Sequence, residues 1–98
     1  MKYLNKYENF KEPQVGDYVK VYGDYFDPPV IEFFKTHIGK IIRIEKSGYP
    51  YIIEFDKLIP LSRGREEYSM DFMEDEIIEW NKDKSVIEII NDINKYNL

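Results

Sequence analysis

The sequence predicts a mainly β protein: a small five-stranded barrel followed by a C-terminal α-helix. Three stretches carry that expectation. Gly39 to Phe55, GKIIRIEKSGYPYIIEF, reads as strand, short turn and strand, because Ile, Tyr and Phe runs are bounded by Gly, Ser and Pro. Tyr18 to Tyr22 alternates Val19 and Val21 with Tyr18, Lys20 and Tyr22, the period of a half-buried strand with its valines inward. From Ser85 the period changes, and Val86, Ile89, Ile90 and Ile93 recur at helical spacing.

Residues 1–14 lead into the barrel. Tyr3, Leu4, Tyr7 and Phe10 suit a short helix or an extended arm with aromatic anchors, and Pro13 ends either. The barrel itself spans residues 15–80. Gly16 permits the turn into the first strand. Gly23 to Thr36 is a long connection, since Pro28 and Pro29 cannot donate to a central ladder; Val30–Phe34 forms a short helical or strand-like piece within it. In the hairpin, Ile41 and Ile44 are three apart and share a face only if the strand carries a bulge. Asp56–Glu67 is a second long loop, Tyr68, Met70 and Phe72 mark a strand by their period of two, and Ile77–Trp80 returns to the barrel, with Trp80 packing at its edge. Residues 85–96 form the final helix, with Ser85 as its cap, Glu88 completing a capping box, and Ile87 broadening the apolar stripe that packs on the barrel.

Ninety-eight residues, 43% of them hydrophobic, make one domain with a modest core. Nine Tyr and six Phe are many large rings for that interior, so some lie near the surface, as contact residues or with only the hydroxyl wet. The absence of cysteine excludes disulfides, thiolate metal sites and thiol nucleophiles. No segment reads as a signal peptide or membrane span, which predicts a soluble, cytoplasmic chain. The net charge of -5 arises entirely after residue 60: residues 1–60 hold nine acids and nine bases, residues 61–98 ten acids and five bases. Such a half disfavours phosphate-backbone binding and suits a basic partner, or simply a solvated surface.

The segments VGDYVKV, IGKIIRIE, YIIEFD and DEIIEW, in that order, resemble those of SH3-like small barrels, the KOW-like domains among them, and of short bacteriophage proteins. The resemblance implies ligand contacts at exposed aromatics and loops on one side of the barrel, which correspond here to Tyr22, Tyr25 and Tyr51. Tyr49 joins them by its place in the hairpin turn. KOW-like modules bind nucleic acid or proteins of transcription and the ribosome.

Chemistry has little foothold in the sequence. There is no phosphate-binding glycine loop, zinc signature or nucleophile motif, and His37 is the one histidine. The acids Glu66, Glu67, Asp71, Glu74, Asp75 and Glu76 lack the spacing of a calcium loop or of a catalytic carboxylate pair in a cleft. No cofactor, metal or catalytic residue is expected. The leading expectation is a non-enzymatic protein-binding module, an adaptor or accessory protein, with Tyr22, Tyr25, Tyr49 and Tyr51 at its contact centre and the six acids at its rim. A narrower version is a phage-encoded inhibitor, acting in the host cytoplasm, that covers the basic nucleic-acid-binding surface of a host defence nuclease. The competing class binds nucleic acid directly through Lys20, Lys40, Arg43, Lys46 and stacking tyrosines. Homo-oligomerisation is left open, and a membrane is not expected as a partner.

Overall fold

A computed structural model describes residues 12–23, 26–61 and 67–96, with side chains as far as Asn91. Among them are strands β1 (Tyr18–Val21), β2 (Gly39–Ile44), β3 (Tyr51–Ile59), β4 (Glu67–Phe72) and β5 (Ile77–Asn81). Helix α1 (Pro28–Thr36) lies between β1 and β2, a 3-10 turn (Glu74–Glu76) between β4 and β5, and helix α2 (Lys84–Tyr96) at the end. Every ladder is antiparallel, and the strand order is β4-β3-β2-β1-β5.

That order corrects the expected fold class. β4 and β5 are the two edges of an open sheet and do not pair with each other among the described residues. The chain is a mixed α/β fold, not a closed SH3-like barrel, and the family resemblance that rested on closure falls with it. The physical reason lies in α1. The double proline does not merely break a ladder; Pro28 and Pro29 start a helix, where their missing N–H groups are not needed. Asp27 O accepts Val30 N at 2.9 Å and Ile31 N at 3.0 Å, closing the first turn. Val30, Phe33 and Phe34, at spacings of three and four, form the buried stripe.

Phe34 is the centre of that stripe. Its ring lies 5.4 Å from Phe55, stacked, and meets Phe26, Phe33 and Phe72 edge-on at 5.3, 5.9 and 5.4 Å. Around it the sheet contributes Val19, Val21, Ile41, Tyr51, Ile53, Ile59 and Ile77 to the same core, and Trp80 packs against it from the edge. A sheet buries its apolar face against a second layer. Here the layer is a helix, so the sheet need not close on itself.

Two bulges fix which isoleucines enter this core. The β2–β3 register shifts between Ile41 and Arg43, but Ile41 and Ile44 do not share a buried face: Ile41 is buried and Ile44 is exposed at the strand end. The β1–β5 register shifts between Lys20 and Val21, leaving Ile77 inside and Ile78 outside. Gly39 is required by packing: a Cβ there would collide with Ile53 Cγ2 and approach Phe55 Cε2 to 2.9 Å. Gly16, with φ of 95°, takes the left-handed position of the turn that feeds β1, closed by Asp17 N donating to Gln14 O at 3.0 Å.

At α2 the cap is Asp83, two residues before the expected Ser85. Asp83 Oδ1 accepts the Ser85 hydroxyl at 2.7 Å and the Ser85 amide at 3.0 Å, bonds that hold the Asp83 carboxyl below the usual range. The buried face is also rotated from the expected one. Ile87 is 1% exposed and Ile89 59% exposed, because the docking surface on β1 and β5 selects the face.

Removing the aromatic centre should cost most. Phe34→Ala is expected to lose about 3–5 kcal/mol, and Gly39→Ala about 1–3 kcal/mol by overpacking. Both are read from urea midpoints at unchanged slope, and a loss under about 1 kcal/mol for Phe34→Ala would remove α1 from its place in the core.

Candidate functional site

The one-residue register shift that puts Ile77 into the core also sets what lies beside it. The β1–β5 pairing runs on past Val21, and Tyr22 N donates to Glu76 O at 2.9 Å. Tyr22, 45% exposed, is therefore tied to the 3-10 turn that carries Glu74, Asp75 and Glu76. Glu74 and Asp75 are exposed. Glu76 turns inward: its Oε1 accepts the Met73 amide at 2.7 Å, while the enclosed Oε2 has no partner. Glu76 thus shapes the turn from inside and offers no charge to solvent.

Tyr51 is buried, opposite Phe72 in the β3–β4 ladder. Burial pushes its phenol above the ordinary value, and the negative charges of Glu74 and Glu12 push it further. It is a core residue behind the acidic turn, not a contact ring. Asp71 is exposed and directly precedes Phe72, so it borders the same turn. Glu67 is half-buried at the far end of β4, about 17 Å from Phe72 at strand rise. Tyr49 is exposed at the tip of the β2–β3 hairpin, where its amide donates to Ser47 Oγ at 3.1 Å. Tyr25 and Glu66 lie outside the described residues. Of the ten residues singled out in the sequence, Tyr22, Glu74 and Asp75 are brought together, with Asp71 at their border.

The residue that sequence alternation misplaces is Lys20. It belongs to the outward set of β1, yet it is 6% exposed. Its Nζ donates to Phe34 O at 2.6 Å, Lys35 O at 2.9 Å and His37 O at 3.0 Å, using all three ammonium protons on the carbonyl end of α1. Those carbonyls carry the negative end of the helix dipole. The nearest signal in the sequence is an absence: α1 ends at His37 in extended backbone, without the left-handed Gly or Asn that commonly satisfies a helix end, so a donor must come from elsewhere. Burial lowers the Lys20 ammonium from 10.5 to about 8.

Two of the three other cations named for nucleic-acid binding are also engaged, and the third, Lys46, is exposed. Lys40 Nζ lies 5.4 Å from the centre of the Tyr18 ring, and Arg43 Nε pairs with Glu45 at 2.6 Å on the surface. Asp17, missed in the sequence, is buried at the entry to β1. It accepts Gln14 N at 2.9 Å and the ammonium of exposed Lys82 at 3.1 Å.

No family model, curated protein or solved structure matches this chain. Among the described residues no group of three His, Asp or Glu side chains is placed to hold a metal ion, and no helix is long and apolar enough to cross a membrane.

The Lys20 arrangement makes a signed prediction. The unfolded chain holds the Lys20 proton up to about pH 10.5 and the folded chain only to about pH 8, so rising pH between those values stabilises the wild type. Below pH 8 the burial cost is present in full. Lys20→Met strands three carbonyls and should destabilise the fold by about 1–3 kcal/mol at pH 7. The wild type's advantage over this variant should then widen from pH 8 to 10.5, by no more than about 1.4 kcal/mol per unit. A gap that stays constant or narrows across that window, in parallel urea titrations, would show that burial does not lower the Lys20 ammonium in the folded chain.

Proposed function

We propose that the chain is a non-enzymatic protein-binding module whose contact surface is centred on Tyr22 and the acidic turn, and whose partner presents a basic surface. The observation that carries this reading is the Tyr22 N to Glu76 O bond, which ties the backbone of a residue with an exposed ring to the turn that carries two exposed acids. A tyrosine supplies contact area at a low entropic cost, and rim carboxylates steer and select a cationic partner. The internal position of Lys20 and the engagement of Lys40 and Arg43 support this reading over direct binding of nucleic acid, which relies on cations free to neutralise phosphates.

The test is affinity capture from nuclease-treated lysate with the wild type, Glu74→Lys/Asp75→Lys, and Tyr22→Ala. All three positions are exposed, so each variant should keep its thermal midpoint. The charge reversal is expected to reduce recovery of a basic protein at least tenfold, and Tyr22→Ala several-fold. Recovery that is indifferent to both variants, or that vanishes on nuclease treatment alone, would refute the reading.

A further inference from the structure

On another part of the molecule, α1, β3 and α2 leave between them a polar groove of about 410 Å³, lined by Thr36, His37, Ile38, Asp56, Lys84, Glu88 and Asn91. The volume falls in the range of small-ligand sites. Lys84, Glu88 and Asn91 are four and three residues apart, so they form one stripe along α2.

His37 is held in a single posture. Its ring stacks on Phe33, with centroids 4.0 Å apart and planes 11° from parallel, and Nδ1 lies 2.9 Å from Phe33 O. A carbonyl only accepts, so Nδ1 carries a proton, and the Thr36 hydroxyl lies 3.0 Å from the same nitrogen. One face of the ring on Phe33 and the Nδ1 edge are thus engaged, which leaves its other face and its Nε2 edge for a ligand.

The charges are unbalanced. Lys84 Nζ lies 6.0 Å from the Tyr18 ring centre, which draws that cation toward the ring. Asp56 and Glu88 have no hydrogen-bond or ion-pair partner among the described residues. The groove therefore combines two unpaired carboxylates with an imidazole that has one face and its Nε2 edge unengaged. A planar cation suits that set of groups, because it can stack on a ring and donate from its edge to carboxylates, as an ammonium cannot.

We propose that this groove binds a guanidinium group, as carried by an arginine side chain, independently of the Tyr22 surface. The probes are N-acetyl-arginine methylamide, N-acetyl-lysine methylamide and free L-arginine, titrated against the whole chain and followed by amide NMR shifts. Saturable shifts confined to Thr36, His37, Ile38, Asp56 and the Lys84–Asn91 stripe are expected with the arginine amide, with at least threefold weaker binding of the lysine amide. Equal affinity for free L-arginine assigns recognition to the side chain alone, as a partner polypeptide would offer it; tighter binding of the free amino acid points to a small-molecule ligand. Asp56→Asn and Glu88→Gln should each weaken binding about three- to tenfold, while exposed Glu32→Gln on α1 leaves it unchanged. The proposal is overturned if shifts scatter over the surface, if lysine and arginine amides bind alike, or if neither groove carboxylate matters.

Discussion

The packing of Phe34 into the open face of the sheet is the constraint on which the rest of the molecule depends. Five short antiparallel strands leave a concave apolar face with two unjoined edges. A nine-residue helix supplies the missing layer, and its rings contact residues from β3 and β4 directly. The backbone of α1 must then end inside the structure, close to β1. Its last carbonyls would be stranded there without a donor, and Lys20 supplies three bonds from the adjacent strand. Core packing and the Lys20 ammonium are thus two sides of one arrangement: the rings hold the helix against the sheet, and the lysine makes that position electrically tolerable.

The same economy of buried polar groups shapes the surface. Lys20, Asp17 and Glu76 are enclosed, and Lys20 and Asp17 have their bonding capacity directed at backbone or a counter-charge. Glu76 spends one oxygen on the Met73 amide and leaves the other unpaired, so this turn is stabilised less fully than either end of β1. Enclosing Lys20, Asp17 and Glu76 withdraws one cation and two anions from the exterior, and the loss of Glu76 narrows the acidic turn to Glu74 and Asp75. Of the acids singled out in the sequence, Glu76 is enclosed, Glu67 lies at the far end of β4, and Glu74 and Asp75 are exposed on the turn.

Two chemically different regions remain for recognition. The Tyr22 region, where the protein-binding role is proposed, joins an exposed ring by its backbone to a turn with two exposed acids. The His37 groove is concave and polar, suited to one small cationic group. Both lie next to elements held by the core, the first through the β1–β5 ladder and the second through the Phe33 stack. Attachment to rigid neighbours lowers the ordering cost of binding at either place.

Local chemistry was legible where it depends on neighbours in the chain. The alternation of Val19 and Val21, the apolar hairpin strands, the turn at Gly16 and the helical period after Ser85 all follow from side-chain periodicity and backbone sterics, which act over a few residues. The exposed acids Glu74 and Asp75 and the ring of Tyr22 were likewise recognisable as candidates. Whether the sheet closed, which face of α2 docked, whether Tyr51 and Glu76 pointed inward and where Lys20 reached were decided only by the tertiary structure. Each depends on a partner far away in sequence: Phe34 meets Phe72, and Lys20 meets the end of a helix fourteen to seventeen residues on. Periodicity states that a residue alternates; only the assembled layers determine what waits for it on either side.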